Sequence, residues 1–66
     1  MKYFFHILSK EKFHIDSSGQ SFGDVENMKD HALMMAKDLS AKGLQGYALV
    51  VTKEGGDIVQ RINIDT

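Results

Sequence analysis

One amphipathic helix set between two pairs of short apolar strands constrains this chain more than any other feature of its sequence. Counted at 100° per residue, Val25, Met28, Ala32, Met35, Ala36 and Leu39 fall within an arc of roughly 100°, the width of a core-facing stripe. Leu33 lies on the flank, and Met34 points to the opposite side among Asp30, Lys37 and Asp38. The start is marked by Asp24, a good N-cap, and by Glu26 in the first turn, where the helix dipole favours an anion. Lys42-Gly43 is a stop signal, so the spacing predicts a helix over residues 25–42.

The flanking segments read as hairpins. KYFFHIL at the start is aromatic and aliphatic, then Ser9-Lys10-Glu11-Lys12 interrupts it and Phe13-His14-Ile15-Asp16 follows. Pairing Ile7 with Phe13 turns Tyr3, Phe5, Ile7, Phe13 and Ile15 inward. Pairing Leu8 with Phe13 instead would bury Phe4, His6 and Leu8. The first register is preferred because it keeps a histidine off the core. Asp16-Ser17-Ser18-Gly19 has turn chemistry, with short side chains that bond the backbone and then a residue free to take positive φ. After the helix, residues 47–53 and 58–64 flank Glu54-Gly55-Gly56-Asp57, a strong hairpin turn. Setting Lys53 against Ile58 places Val51 opposite Gln60, Leu49 opposite Ile62 and Tyr47 opposite Ile64, with most large apolar residues on one face.

The expected fold class is therefore α+β, a single domain over residues 1–66 with the order β-β-α-β-β. The two most apolar strands, first and third, belong in the centre. That gives a four-stranded antiparallel sheet ordered 2-1-3-4 with the helix packed on one face.

Length and composition narrow the function classes. A 66-residue chain hides a small share of its surface, and with no cysteine it has neither disulfides nor the common zinc ribbons to compensate. Oligomerisation therefore moves up among the devices that compensate, beside very regular packing. A net charge of -1 exerts no pull toward phosphate backbones. The apolar run at residues 3–8 is too short to span a membrane or to serve as a secretory signal, so a cytoplasmic location is expected.

No catalytic constellation emerges, and no enzyme or cofactor is expected. None of the serines stands in a nucleophile-elbow context, the glycines lack phosphate-loop spacing, and the carboxylates are dispersed. His6 and His14 lie opposite one another in the preferred register, with Cβ atoms about 5 Å apart. His31 is on the helix, across the sheet, so the three histidines do not meet and no metal site is expected. Asp16 joins the pair only if its turn folds back.

The helix-free face is the more useful clue. It carries Phe4, Leu8, Ala48, Val50 and Val59 beside His6, His14, Thr52, Arg61 and Asn63, which is apolar for a surface facing water. A protein-contact module is the leading expectation. Phe4, His6, Leu8, His14, Val50 and Val59 form its interaction surface, and the partner is a second copy in a symmetric dimer or another protein. The rival is a small nucleic-acid-binding regulator, with Phe4 stacking a base and Lys2, Lys53 and Arg61 meeting phosphates.

Tyr3-Phe4-Phe5-His6, then Asp16-x-x-Gly19, then a helix with Ala32 and Ala36, then a hairpin turning at Glu54-Gly55-Gly56-Asp57, together resemble a family of small uncharacterised bacterial proteins. The likeness covers nearly the whole chain and implies the same fold, with no activity to carry over. Val50 and Met28 depart from it, standing where that family often has a charge and an alanine. A weaker likeness is to the antitoxin half of a bacterial toxin–antitoxin pair. The proline-containing strand and DNA-binding segment of those proteins have no counterpart here, so it implies at most a partner-binding domain.

Overall fold

The computed structural model describes residues 1–64. The chain forms β1 (Lys2–Leu8), β2 (Phe13–His14), β3 (Gln20–Ser21), α1 (Val25–Ala41), β4 (Ala48–Lys53) and β5 (Ile58–Asn63). All pairings are antiparallel, in the order β2-β1-β4-β5, with β3 also paired to β1. The α+β class holds, and the strand order differs slightly from the expected four-stranded one. The difference is that the outer strand is split into two short pieces laid end to end along β1.

Alternation along the strands sorts the two faces. Tyr3 and Phe5 of β1, Leu49 and Val51 of β4, and Met28, Ala32 and Ala36 of α1 form the buried cluster, with Ile7, Phe22, Met35 and Ile62 packed against it. Two alanines in the centre of the helix stripe let it approach the sheet closely. Val25 is 47% exposed and does not belong to the core expected for it. As the first helical residue it leans toward the helix N-terminus, beyond the end of the stripe.

Both helix ends close as the sequence implies. Asp24 Oδ1 accepts from the Asn27 amide at 2.8 Å. Past the other end, the Leu44 amide donates to Leu39 carbonyl at 3.1 Å and the Gly43 amide to Ser40 carbonyl at 3.0 Å. That is a Schellman closure, and Gly43 meets its left-handed requirement with φ of 84°.

The second hairpin keeps the expected register at Leu49–Ile62 and Val51–Gln60, then departs near its turn. Thr52, not Lys53, lies opposite Ile58, so Val59 is the extra residue of a bulge. The turn dictates the shift. The Lys53 amide donates to Asp57 carbonyl and the Gly56 amide to Lys53 carbonyl, both at 3.0 Å. Gly55 and Gly56 have φ of 99° and 96°, a left-handed pair that closes the loop early.

Met28 is one of three large side chains removed from water, with Leu49 and Val51. Met28→Ala is expected to lower stability by about 2–5 kcal/mol, the usual range for such a truncation in a core. Urea titration of the two proteins measures it.

Candidate interaction surface

The helix-free face is built from the even-numbered residues of the central strands: Phe4, His6 and Leu8 of β1, opposite Thr52, Val50 and Ala48 of β4. Beyond β4 it continues through Arg61, opposite Val50, and Asn63, opposite Ala48. Its centre is closed by its own side chains, and Val50 and Ala48 are only 5% and 7% exposed. The rings of Phe4 and His6 stack nearly parallel, with centroids 6.5 Å apart and planes 5° apart. Lys2 Nζ sits 6.0 Å from the Phe4 ring centroid.

A polar clamp holds this arrangement. The His6 ring spans the sheet, with Nδ1 accepting from the Asp16 amide at 3.1 Å and Nε2 lying 3.0 Å from Thr52 Oγ1. With Nδ1 accepting, the proton of the neutral ring is on Nε2 and is donated to the threonine hydroxyl. Asp16 does fold back toward β1, but to bind the backbone. Its Oδ2 accepts from the Phe5 amide at 3.1 Å, and its Oδ1 accepts from the Ser18 and Gly19 amides, both at 3.1 Å. The Phe5 amide falls between the stretches of β1 paired with β2 and with β3, so the carboxylate stands in for a missing strand carbonyl.

Gly19 completes the device. Its φ is 75°, and a Cβ there would come within 2.9 Å of Phe4 Cε2 and 3.0 Å of Lys2 Cγ. Glycine is required twice over, for the left-handed backbone and for the ring lying against it.

The first hairpin takes the register set aside at the sequence level. Leu8 pairs with Phe13 and Ile7 with His14. His6 and His14 are therefore not opposite one another, and His14 shares the helix side of the sheet with Ile7, where it is exposed at the edge. It is removed from the interaction surface. Phe13 and Ile15, expected in the core, are 70% and 62% exposed. Among the described residues no group of three or more histidine, cysteine or carboxylate side chains is placed to hold a metal ion.

Phe4, His6 and Leu8 stay on the face, half-buried. Val50 lies beneath its neighbours. Val59 is 37% exposed in the bulge beside the more exposed Ile58. Sequence reasoning missed Phe13 and Ile15 as surface. His31 packs edge-on against Phe5, with centroids 5.1 Å apart, and near Phe22 at 5.4 Å.

The amides of Gly19 and Phe5 hold the Asp16 carboxyl below the usual carboxylate range, against the opposing effect of burial, with smaller help from the Ser18 amide. A depressed folded value means that the stabilisation is complete above the unfolded value of about 3.9 and fades as pH falls through the folded one. Asp16→Ala is expected to cost about 1–3 kcal/mol at neutral pH, three amides losing their acceptor. In urea titrations the gap to wild type should narrow as pH is lowered below about 4.

Gly19→Ala is expected to cost about 1–2 kcal/mol for the backbone alone. The contact with the Phe4 ring adds to this. In a Phe4→Leu background only that added part should be recovered, which a double-mutant cycle in urea reads directly.

A family model described as Domain of unknown function (DUF6894) matches residues 2–65. No curated protein and no solved structure matches the chain. Among the described residues no helix is long and apolar enough to cross a membrane.

Proposed function

Taking as premise that the chain belongs to the DUF6894 family, a domain of unknown function, we propose that it is a non-enzymatic interaction module that pairs with a second copy of itself through the helix-free face. One observation carries the reading. Phe13, 70% exposed, extends the half-buried row of Phe4 and Leu8 to the edge of the sheet, and Ile15, 62% exposed, lies two residues further along that edge. Two large apolar side chains beside a half-buried apolar row make a contiguous patch, the kind of surface that marks a contact site.

A second copy is the occupant that suits the patch. The edge beside it is built of two-residue strands, β2 and β3, broken by the Asp16 turn. Such an edge is a poor template for adding a foreign strand, so contact through side chains across a two-fold axis is favoured over strand addition. A chain of 66 residues without cysteine also gains the most from burying surface against a copy of itself. The cysteine-free sequence suits a reducing compartment such as the cytoplasm.

Light scattering across micromolar to millimolar concentration tests the proposal. Wild type is expected to have the mass of a dimer. Phe13→Asp should give a monomer with an unchanged circular dichroism spectrum. Met34 is equally exposed, at 70%, on the outer side of α1, so Met34→Asp should leave the dimer intact. A monomeric wild type over the whole range, or equal behaviour of the two variants, overturns the reading.

A further inference from the structure

Two adjoining clefts open at the end of the sheet where the β1–β2 turn meets the loop leading into β4, and they share Ser9, Lys10, Gly46 and Tyr47. The first, of about 390 Å³, extends over Leu8 and Ala48 to Arg61 and Asn63. The second, of about 400 Å³, extends along Glu11 and Lys12 to Gln45. Each falls within the roughly 300–1,000 Å³ of small-molecule sites.

Charge is distributed unevenly around them. Among the described residues the walls of the two clefts hold Lys10, Lys12 and Arg61 against one acid, Glu11, on a chain whose net charge is -1. Among the described residues the ion pairs are Lys42–Asp38 and Lys53–Asp57, and neither involves a cleft cation.

The cations stand on a fixed frame. Ser9 Oγ accepts from the Glu11 amide at 3.3 Å and the Lys12 amide at 3.0 Å, while the Ser9 amide donates to Lys12 carbonyl at 2.8 Å. That knot holds the turn bearing both lysines. Across the cleft, Arg61 Nε donates to Asn63 Oδ1 at 3.2 Å, which braces the guanidinium and leaves its terminal nitrogens for another acceptor. Leu8, Ala48 and Tyr47 supply an apolar wall between the two groups of charge.

We propose that these adjoining clefts together bind a small organic phosphate, a phosphate monoester that also carries a flat aromatic ring, as the sugar-linked base of a mononucleotide does. Such a phosphate carries about -1.5 to -2 charge at neutral pH, which suits three cations set against one acid better than a single carboxylate does. Arginine provides a planar fork for its oxygens, and the lysines act as point charges. The ring lies along the apolar wall. This site adjoins the proposed dimer contact, sharing Leu8 with it, and goes beyond it.

The test is a chemical-shift titration of the isotope-labelled full chain at low salt with four probes: adenosine monophosphate, inorganic phosphate, adenosine and a single-stranded oligonucleotide. The monophosphate is expected to give saturable shifts centred on residues 9–12 and 46–48. Inorganic phosphate and adenosine should each bind at least tenfold more weakly, and added salt should weaken the monophosphate. Lys10→Gln and Arg61→Gln, both at exposed positions, should each reduce its affinity about tenfold while leaving the rest of the spectrum in place. Four results overturn the proposal: no saturable shift at millimolar monophosphate, shifts centred elsewhere, affinity unchanged in both variants, or inorganic phosphate binding as well as the nucleotide. An oligonucleotide binding more than tenfold tighter also overturns it, in favour of a nucleic-acid strand.

Discussion

The Asp16 carboxylate is the interaction on which the exposed half of this structure depends. β1 is paired from Tyr3 to Leu8 on the β4 side, but on the other side it is covered by two short strands with a gap between them. A bare amide at that gap would be costly once shielded from water. Asp16 fills it with one oxygen and spends the other on the two amides of its own turn. Its backbone amide then fixes the His6 ring, the ring reaches Thr52, and Phe4 stacks on the ring with Gly19 beneath it. Six residues, Phe4, Phe5 and His6 of β1, Thr52 of β4 and Ser18 and Gly19 of the turn, are thus tied to a single group.

The same group explains why part of the fold was legible in the sequence and part was not. The helix could be read because a stripe, a cap and a stop agree, and each acts within a few residues. Strand order followed from the apolar content of KYFFHIL and YALVV. The register of the first hairpin does not follow from that pattern. Within that hairpin taken alone, keeping His6 out of the core calls for Phe13 inward. In fact His6 is on the outer face in either register, since its side is set by β1 and β4. The hydrogen bonds of Asp16 and of the Ser9 turn decide the pairing, and no hydrophobic pattern reports them. A single-residue slip then moved Phe13 and Ile15 outward and His14 to the other side.

The second hairpin failed more locally. Its pattern of apolar residues was right through Val51–Gln60, and only the bulge at Val59 was hidden. Two successive glycines allow a loop that ordinary residues would not, and the pattern alone does not say how early it closes. For the candidate surface, Phe4, His6 and Leu8 were legible because β1 alternates cleanly. Val50 was placed on the correct face, yet at the centre of a sheet its neighbours cover it. Alternation assigns a face; it does not assign exposure.

Leu8 connects the two proposed surfaces. It pairs with Phe13 at one end of the apolar patch and lines the cleft that holds Lys10 and Arg61. Lys12 adjoins Phe13 in the chain, so a two-fold contact through Phe13 draws like charges from two copies toward one another. Such repulsion is largest at low ionic strength and weakens as screening grows. An anion seated among these cations reduces the same repulsion, and linkage then requires that pairing strengthen anion binding by the same factor. The physical root of that coupling is the Ser9 turn, which holds two lysines at the rim of an apolar face where the rest of the sheet offers few charges.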